Sequence, residues 1–500
     1  MNIPLQRLRE LLPFSFLPPG NDFGQARGDV SPGDVIAHIS YELLPQIARQ
    51  RGLLQRFRRL EAACQEAEPA LAELEEQIGK APLPLSASVN KAAMQADNLI
   101  KRLAQGYNSI SRRIVERHAA DPAPLLYRAA HRAMTLIARR QLLAYRACMS
   151  PSGSSWRQLH TLYQMTCDPG LTALNTNTAP IEHEYLGALL LAYLDPGRQP
   201  RAEIESVWRC AQQLAAYVMV SEATAEALRD SVAADSCFFL VHPDEGSSGL
   251  PLPRLTPDRP LANGLIVDCS QVLAAIDRNI TRQPGRSALP DLEASPALLQ
   301  SLRAALGGRN IRRFNRTRFY PRADLFGGLD QVTRLLAEGS ARSRRAIDGH
   351  SPHEDYPLTS SEWSLINESP DGFLIRYIHG GQCRFGPGHI VALRPRESSR
   401  LHICLVRRIA TERKRLELAL QILSPQVSVV ALPGDGSRAI FLHNLPTYGP
   451  HAGLIAAPGT LDGVQRLSLK LVGNSIEWQV GKTLESNEEL ELVALELPPR

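Results

Sequence analysis

The spacing of apolar residues changes its period once along this chain of 500 residues. Up to about residue 235, apolar residues recur three and four positions apart, which is the pattern of amphipathic helices. Beyond residue 360, short apolar or alternating runs are separated by Gly, Pro, Asn or charged turns, which is typical of strands. Because the two periods occupy separate parts of the chain, the sequence predicts an α+β protein of several domains.

The helical spacing predicts an all-α N-terminal domain over residues 1–235, built as a helical bundle or as helical hairpins. The helix lengths fit stacked hairpins, but no regular repeat can be aligned, which favours an irregular bundle that packs against itself or a partner. We therefore expect this domain to contact another protein. The predicted helices cover residues 34–79, 88–118, 124–148, 156–165, 181–194 and 203–220.

Three further segments follow the helical domain. Residues 236–305 predict a mixed α/β connecting region, and residues 306–425 predict a small antiparallel β-barrel. Residues 426–500 predict a C-terminal β extension, which either enlarges the barrel or forms a second sheet. Residues 340–356 are polar and are expected to be flexible. The predicted strands of the barrel lie at residues 363–366, 372–378, 389–393, 402–409 and 416–423.

Composition argues against several classes of protein. Apolar residues make up 44% and charged residues 21% of the chain, close to the globular average, so wholesale disorder is excluded. The eight cysteines are scattered without a Cys-x-x-Cys pair, which argues against a zinc ribbon and against a disulfide framework. No apolar run has the length of a membrane helix or the form of a signal peptide. We expect a reduced, cytoplasmic protein with no metal site, and no catalytic arrangement of residues is recognisable, so we expect no enzyme.

Positive charge is concentrated in one segment. The net charge is +5, yet residues 303–345 hold eleven arginines against three acidic residues, so the remainder is slightly acidic. Guanidinium groups suit bidentate recognition of phosphates and stacking on flat rings. Three interpretations stay open at this point: an anionic ligand, a basic linker that contacts the acidic helices, or an arm that binds RNA. With 51 acidic residues in the chain, extensive nucleic-acid binding is not expected.

A pair of arginines four positions apart stands just before the predicted barrel. Arg318 and Arg322 form this pair, and Arg316 is a further candidate beside them. From this position the pair can fold over the barrel surface and offer its guanidinium groups to a ligand. We expect residues 323–336 to form the first strand and a turn, and residues 337–362 to be an insertion.

A second motif lies beyond this insertion. Asn367 and Ser369, two positions apart, would share one face of a strand and offer polar groups to the edge of a base. Gly372 permits a backbone conformation, or a close approach, that a side chain would block. Trp363 and Arg376 are additional candidates for stacking or for charge.

The order of the two motifs resembles that of the PilZ family, the bacterial receptors for cyclic di-GMP. In that family an Arg-x-x-x-Arg motif precedes Asp/Asn-x-Ser-x-x-Gly, and strands similar to residues 388–393 and 402–409 follow. The resemblance covers residues 312–425, which is less than a quarter of the chain. It implies that the arginine pair clamps phosphates and stacks on guanines. It further implies that the Asn and Ser bind a guanine and a phosphate, and that the Gly shapes the turn.

These observations favour a non-enzymatic cytoplasmic effector. The PilZ-like barrel would bind cyclic di-GMP, and the helical domain would pass the signal to a protein partner. The alternative is a scaffold or chaperone-like adaptor, in which the barrel has lost its ligand and the helical domain is the working surface. A third interpretation makes the arginine-dense segment an arm that binds RNA, which steep salt dependence of binding would support.

Overall fold

The computed structural model has an N-terminal helical region followed by antiparallel sheets. The predicted α+β layout, with helices first and antiparallel strands second, is confirmed, whereas the predicted boundaries of the four segments stay a prediction. The structure describes residues 31–116, 123–167, 179–228, 237–252, 261–281, 292–307, 321–348, 360–381, 386–396, 398, 400–412, 415–433, 436–449, 451–471 and 474–498.

Helices dominate the described chain up to residue 217. The first helix begins at a normal cap, because the Ser31 hydroxyl accepts a hydrogen bond from the backbone N–H of Asp34 at 3.3 Å and Pro32 takes the first helical position. The helices of this region are α1 (Pro32–His38), α2 (Leu44–Ala48), α3 (Leu53–Lys80), α4 (Ala87–Glu116), α5 (Ala123–Arg146), α6 (Gly153–Thr166), α7 (Ala179–Tyr193) and α8 (Ile204–Leu214).

Two of the predicted helices are wrong in their extent. The helix expected over residues 34–79 contains a π-helical turn at Ile39–Leu43 and is interrupted before α3, where Gly52 has an extended backbone. Glycine is a poor helix former, which accounts for a break at this position. The helix expected over residues 203–220 ends at Leu214, because a 3-10 turn at Ala215–Tyr217 leads into a strand that the sequence analysis missed.

A small four-stranded antiparallel sheet follows the helical region, and two helices accompany it. Its strands have the order β1-β4-β2-β3, and Phe239 of β2 stacks on Tyr193 of α7 with ring centroids 3.7 Å apart. The sheet therefore packs against the helical core. Its elements are β1 (Met219–Glu222), β2 (Phe238–Val241), β3 (Leu250–Pro251), β4 (Leu265–Asp268), α9 (Ser270–Thr281) and α10 (Pro296–Gly307).

Six strands close into an antiparallel barrel in the order β10-β7-β6-β5-β8-β9. Alternate residues of these strands point inward, and they include fully buried Trp363, Ile375 and Val391. Where the sequence predicted strands beyond residue 360 for the barrel, the structure has strands. The six are β5 (Arg322–Gly327), β6 (Ser361–Ser369), β7 (Gly372–Gly380), β8 (Ile390–Pro395), β9 (His402–Glu412) and β10 (Arg415–Ser424).

A helix follows the first strand of the barrel, where a turn and a flexible insertion were expected. This helix, α11 (Leu329–Asp348), starts after Gly328, whose φ of 94° lies in the left-handed region that favours glycine. Leu329 and Val332 are buried against the outside of the barrel and against the sheet that follows it. The structure therefore places a helix over residues 340–348, where the sequence predicts no element, and residues 349–356 lie outside the described residues.

The C-terminal strands form a second six-stranded antiparallel sheet, in the order β11-β12-β13-β16-β15-β14, and do not enlarge the barrel. One of them, β13, was not predicted, because its Ala and Gly residues carry little strand propensity although all five positions are buried. The strands are β11 (Val427–Ala431), β12 (Arg438–Leu442), β13 (Ala452–Ala456), β14 (Arg466–Leu471), β15 (Asn474–Ser486) and β16 (Glu491–Glu496).

The helical region contacts one end of the barrel. Leu83 and Cys148, from the segments that follow α3 and α5, are buried in the hydrophobic core of the barrel. The carboxylate of Asp195 lies 3.6 Å from the guanidinium of Arg408 on β9. Side chains of the helical region therefore complete the packing of the barrel interior. Among the helices in the described ranges, none has the length and apolarity to cross a membrane.

Candidate functional site

The Asn-x-Ser-x-x-Gly motif forms the hairpin between β6 and β7. Ser369 ends β6 and is paired with Gly372, which begins β7, so that Pro370 and Asp371 make a two-residue turn. The hydroxyl of Ser369 donates to the carbonyl of Gly372 at 3.2 Å. The serine side chain therefore lies across the turn, where it is half-buried and accessible from one side.

A β-bulge places Asn367 on the outside of the barrel. Leu365 is paired with Ile375 and both side chains are buried, whereas Asn367 is paired with Leu374, so one extra residue stands on β6 between the two pairs. The extra residue changes the face to which the following side chains point. Asn367 shares the outer face with Ser369, two residues further on. Without the bulge it would point into the apolar interior with Leu365.

Gly372 is required by a close approach between two strands. A Cβ atom built at this position would lie 1.9 Å from the carbonyl oxygen of Leu420 on β10, far inside any normal contact. β10 and β7 are neighbours, and Leu420 is paired with the next residue of β7, Phe373. The barrel closes tightly here because the chain has no side chain at position 372.

Arg322 lies on β5, which pairs with β6 on the side opposite to β7. It begins β5 opposite Ser364, five residues before Ser369 on β6, so roughly 15 Å of strand separates Arg322 from the hairpin. The carbonyl of the preceding residue, Pro321, accepts a hydrogen bond from the N–H of Leu365 at 2.9 Å. The chain thus enters β5 from the side on which the hairpin lies.

The guanidinium of Arg322 is already paired with a carboxylate. It donates to Glu362, whose side chain is only 5% exposed. Glu362 also accepts from Arg396 at 3.0 Å and lies 2.6 Å from the ring of His379. The hydrogen bond from Arg322 holds the pKa of the Glu362 carboxyl below its usual range, and the charges of Arg396 and His379 add to this effect. This carboxylate stays ionised and competes with any anionic ligand for Arg322.

The other candidate residues from the sequence either lie outside the described residues or are held within the barrel. Arg316 and Arg318 lie outside the described residues. Trp363 is fully buried and its indole N–H donates to the hydroxyl of Ser361 at 2.8 Å, so the expectation that it stacks on a ligand is wrong. Arg376 donates to Glu417 at 2.6 and 2.8 Å and is bound within the barrel wall.

A cavity of about 650 Å³ opens beside the hairpin, between the barrel and the second sheet. Its volume lies within the range of small-molecule sites. Of the predicted site residues that the structure describes, Ser369 alone lines it. The hairpin supplies Glu368, Ser369, Pro370 and Asp371, the start of β9 supplies Arg400 and His402, and the remaining walls come from Ile422, Pro425, Pro446 and Thr447.

Two basic residues of this cavity were missed by the sequence analysis. Arg400 and His402 stand before and at the start of β9, and nothing in their local sequence marks them as a motif. Burial lowers the pKa of the His402 imidazole, and the charge of Arg400 lowers it further, which disfavours the protonated ring. Only the folding of β9 against the hairpin, a contact that is distant along the chain, brings them to Ser369.

The fold and the site define a protein with a helical region, an antiparallel barrel that carries a polar hairpin cavity, and a second sheet that completes the cavity wall. Residues 33–226 match the family described as the N-terminal domain of the cyclic-di-GMP receptor FimW. The match covers less than half of the chain and lies entirely before the barrel. No curated protein and no solved structure matches the chain. The resemblance of the barrel to the PilZ family stays a prediction.

Proposed function

We propose that this chain is a non-enzymatic cytoplasmic effector that binds cyclic di-GMP on its barrel and passes the signal to a protein partner through its helical region. The observation that carries the proposal is the agreement between two separate parts of the chain. The helical residues 33–226 match a domain of a protein described as a cyclic-di-GMP receptor. The motif residues that resemble the PilZ pattern lie in the barrel, outside that match.

The hairpin suits one nucleobase of such a ligand. Asn367 and Ser369 share the outer face of β6, and both side chains offer hydrogen bonds to the edge of a base or to a phosphate oxygen. The adjacent carboxylates of Glu368 and Asp371 accept hydrogen bonds from the N–H groups on a guanine edge. The cavity beside them is large enough for one nucleotide unit.

The phosphates require the arginine pair. Arg322 would exchange its carboxylate partner Glu362 for a ligand phosphate, which guanidinium groups bind in the same bidentate geometry. Four residues of extended chain span at most about 14 Å. The backbone at residue 318 can therefore cover most of the roughly 15 Å from Arg322 to the hairpin, and the arginine side chain can span the remainder, because Pro321 enters β5 from that side.

Transmission to the helical region would use the contact that already joins it to the barrel. β9 carries His402 at the cavity and Thr411 beside Cys148, so one strand runs from the candidate site to the helical region. A ligand that orders the start of β9 would favour one conformation of the whole strand, including its contact with Cys148 at the other end. We propose that the signal passes to the helical region along this strand.

Calorimetry on the full-length protein tests the ligand. We expect saturable heat with micromolar cyclic di-GMP, and loss of that heat when Arg318→Ala is combined with Arg322→Ala. Arg334→Ala is the matched control, because Arg334 is an exposed arginine on α11 away from the hairpin. No heat with the wild-type protein, or equal heat with the double variant, would overturn the proposal.

The adaptor interpretation remains the second candidate function. The observation in its favour is that Arg322 is engaged by Glu362 at a distance from Ser369. An adaptor would retain its protein partner whether or not nucleotide is present. Affinity purification of the full-length protein with and without added cyclic di-GMP separates the two, because only an effector changes its partner binding with the nucleotide.

A further inference from the structure

A second cavity lies in the helical region, far along the chain from the hairpin. It measures about 260 Å³ and lies between α2, α3 and α4. Its lining is apolar at Leu44, Pro45, Ile47 and Leu60 and carries the two cations Arg56 and Arg102. A lining that combines apolar side chains with two guanidinium groups is suited to an anion with an apolar part.

Arg56 is the unusual member of this cavity. Its side chain is only 6% exposed, and its Nε has no hydrogen-bond partner among the described residues. Burial lowers the pKa of its guanidinium, and the charge of Arg113 lowers it further. A guanidinium that is mostly buried and has no carboxylate beside it is costly, because part of its hydration is lost. The lining of the cavity supplies no negative charge to Arg56.

The two stretches of chain that line the cavity contain no carboxylate. Residues 43–60 hold five arginines and residues 98–115 hold one lysine and three arginines, and neither stretch contains an Asp or a Glu.

Three of the four acidic residues that flank these two stretches have partners outside the cavity. Glu42 lies 3.1 Å from the ring of His38, and Asp97 accepts from Arg140 at 2.5 Å. Glu61 accepts from the Tyr107 hydroxyl at 2.5 Å and from Arg132 at 2.8 Å.

We propose that this cavity binds the phosphate group of a small phosphomonoester, with the organic part of the ligand against the apolar wall. The planar guanidinium of Arg56 would receive two phosphate oxygens, and Arg102 would bind from the rim. The exposed ring of Tyr41 lies 5.7 Å from the Arg102 guanidinium. Because the volume lies below that of most drug-sized sites, a single ring or a short chain is the largest organic part that fits. This site is separate from the proposed barrel site.

Titration of the full-length protein tests the site with phenyl phosphate as the probe. Inorganic phosphate probes the charge alone, benzyl alcohol probes the apolar wall alone, and sodium chloride at matched ionic strength controls for screening. We expect phenyl phosphate to bind more tightly than inorganic phosphate, and benzyl alcohol to give no measurable binding. Equal effects of phenyl phosphate and of sodium chloride on the melting temperature would overturn the proposal.

Three variants assign the binding to this cavity. Arg56→Met is expected to weaken phenyl phosphate binding at least tenfold while leaving the melting temperature of the free protein unchanged or higher, because it removes an unpaired buried charge. Arg58→Met is the control, since Arg58 lies two residues away on α3 and is exposed. If Arg56→Met does not fold, phenyl phosphate binding is measured with Arg102→Met, at the rim of the cavity, and the same weakening is expected. Unchanged binding in the folded cavity variant would show that the phosphate binds elsewhere.

Discussion

The backbone N–H of Thr411 on β9 donates to the carbonyl of Cys148 at 2.6 Å, and this bond joins the barrel to the helical region. The backbone of Cys148 has a φ of 55°, in the left-handed region that residues other than glycine rarely adopt. The Cys148 side chain is buried in the barrel core together with Leu83. A residue held in an uncommon conformation at such a junction ties the two parts together. We expect the barrel and the helical region to respond together to perturbation.

Leu83→Ala tests this coupling. Leu83 is 2% exposed and comes from the helical region, yet it packs in the barrel core. Removing it is expected to cost about 2–4 kcal/mol in the free energy of unfolding, because a cavity remains in the core. Hydrogen exchange should accelerate in β9 and β10 as well as around residue 83. Leu54→Ala, at a side chain that is 49% exposed, is the control, and exchange that changes only in the helical segments would contradict the coupling.

Gly372→Ala is expected to damage the barrel. The new Cβ would lie 1.9 Å from the carbonyl oxygen of Leu420, so either β7 or β10 must move. We expect a loss of about 2–3 kcal/mol or more in the free energy of unfolding, measured by denaturant titration. Gly381→Ala is the matched control, because a Cβ there meets no atom of the described residues within 4 Å. A Gly372→Ala protein as stable as the wild type would show that the strands do not approach so closely.

The role of this glycine was predictable from the sequence, and the partner strand was not. A glycine at the start of an apolar run indicates a close approach or an unusual backbone, which residue type alone establishes. The identity of Leu420 as the approaching residue depends on closure of the barrel, a contact 48 positions along the chain. The same distinction separates Ser369, which its motif marks, from Arg400 and His402, which only the fold brings to it.

Periodicity and strand propensity predict the elements that carry a clear apolar pattern and fail where that pattern is weak. The barrel strands β8 and β9 are apolar runs rich in Val, Ile and Leu, which indicates strands, whereas the Ala- and Gly-containing β13 carries no such signal. α11 was missed because polar and charged side chains outnumber the apolar ones, so its apolar stripe, which includes Leu329 and Val332, is narrow. The aromatic ring of Trp363 suggests that it stacks on a ligand, but its side chain points inward from β6 and is buried in the barrel.

Glu362→Gln is expected to strengthen cyclic di-GMP binding if Arg322 belongs to the site. The substitution removes the carboxylate that holds Arg322, so a ligand phosphate no longer competes with it. We expect the dissociation constant measured by calorimetry to fall severalfold. Glu412→Gln, at an exposed position at the end of β9, is the control. Weaker binding in Glu362→Gln would indicate that the ion pair positions Arg322 and does not compete with the ligand.

Glu184→Gln is expected to change how stability depends on pH. Burial raises the pKa of the Glu184 carboxyl to about 7, although the Gln212 amide opposes the shift. His131 lies 3.9 Å away, but burial lowers the pKa of its imidazole, so at neutral pH it offers little positive charge. Because the pKa is raised in the folded state, protonation of Glu184 stabilises the fold. That contribution is complete below the ordinary carboxyl pKa of about 4.5 and is lost as the pH rises through about 7.

The wild-type protein should therefore lose stability between pH 5 and 8 relative to Glu184→Gln, by roughly 3 kcal/mol at most, since each unit of pKa shift corresponds to about 1.4 kcal/mol. Denaturant titrations of both proteins at several pH values measure this difference. Glu182→Gln is the control, because Glu182 is exposed on the same helix. The neutral amide keeps the size of the carboxyl while removing the charge that burial penalises. Parallel pH profiles for the wild type and Glu184→Gln would mean that the carboxyl is solvated in solution and titrates normally.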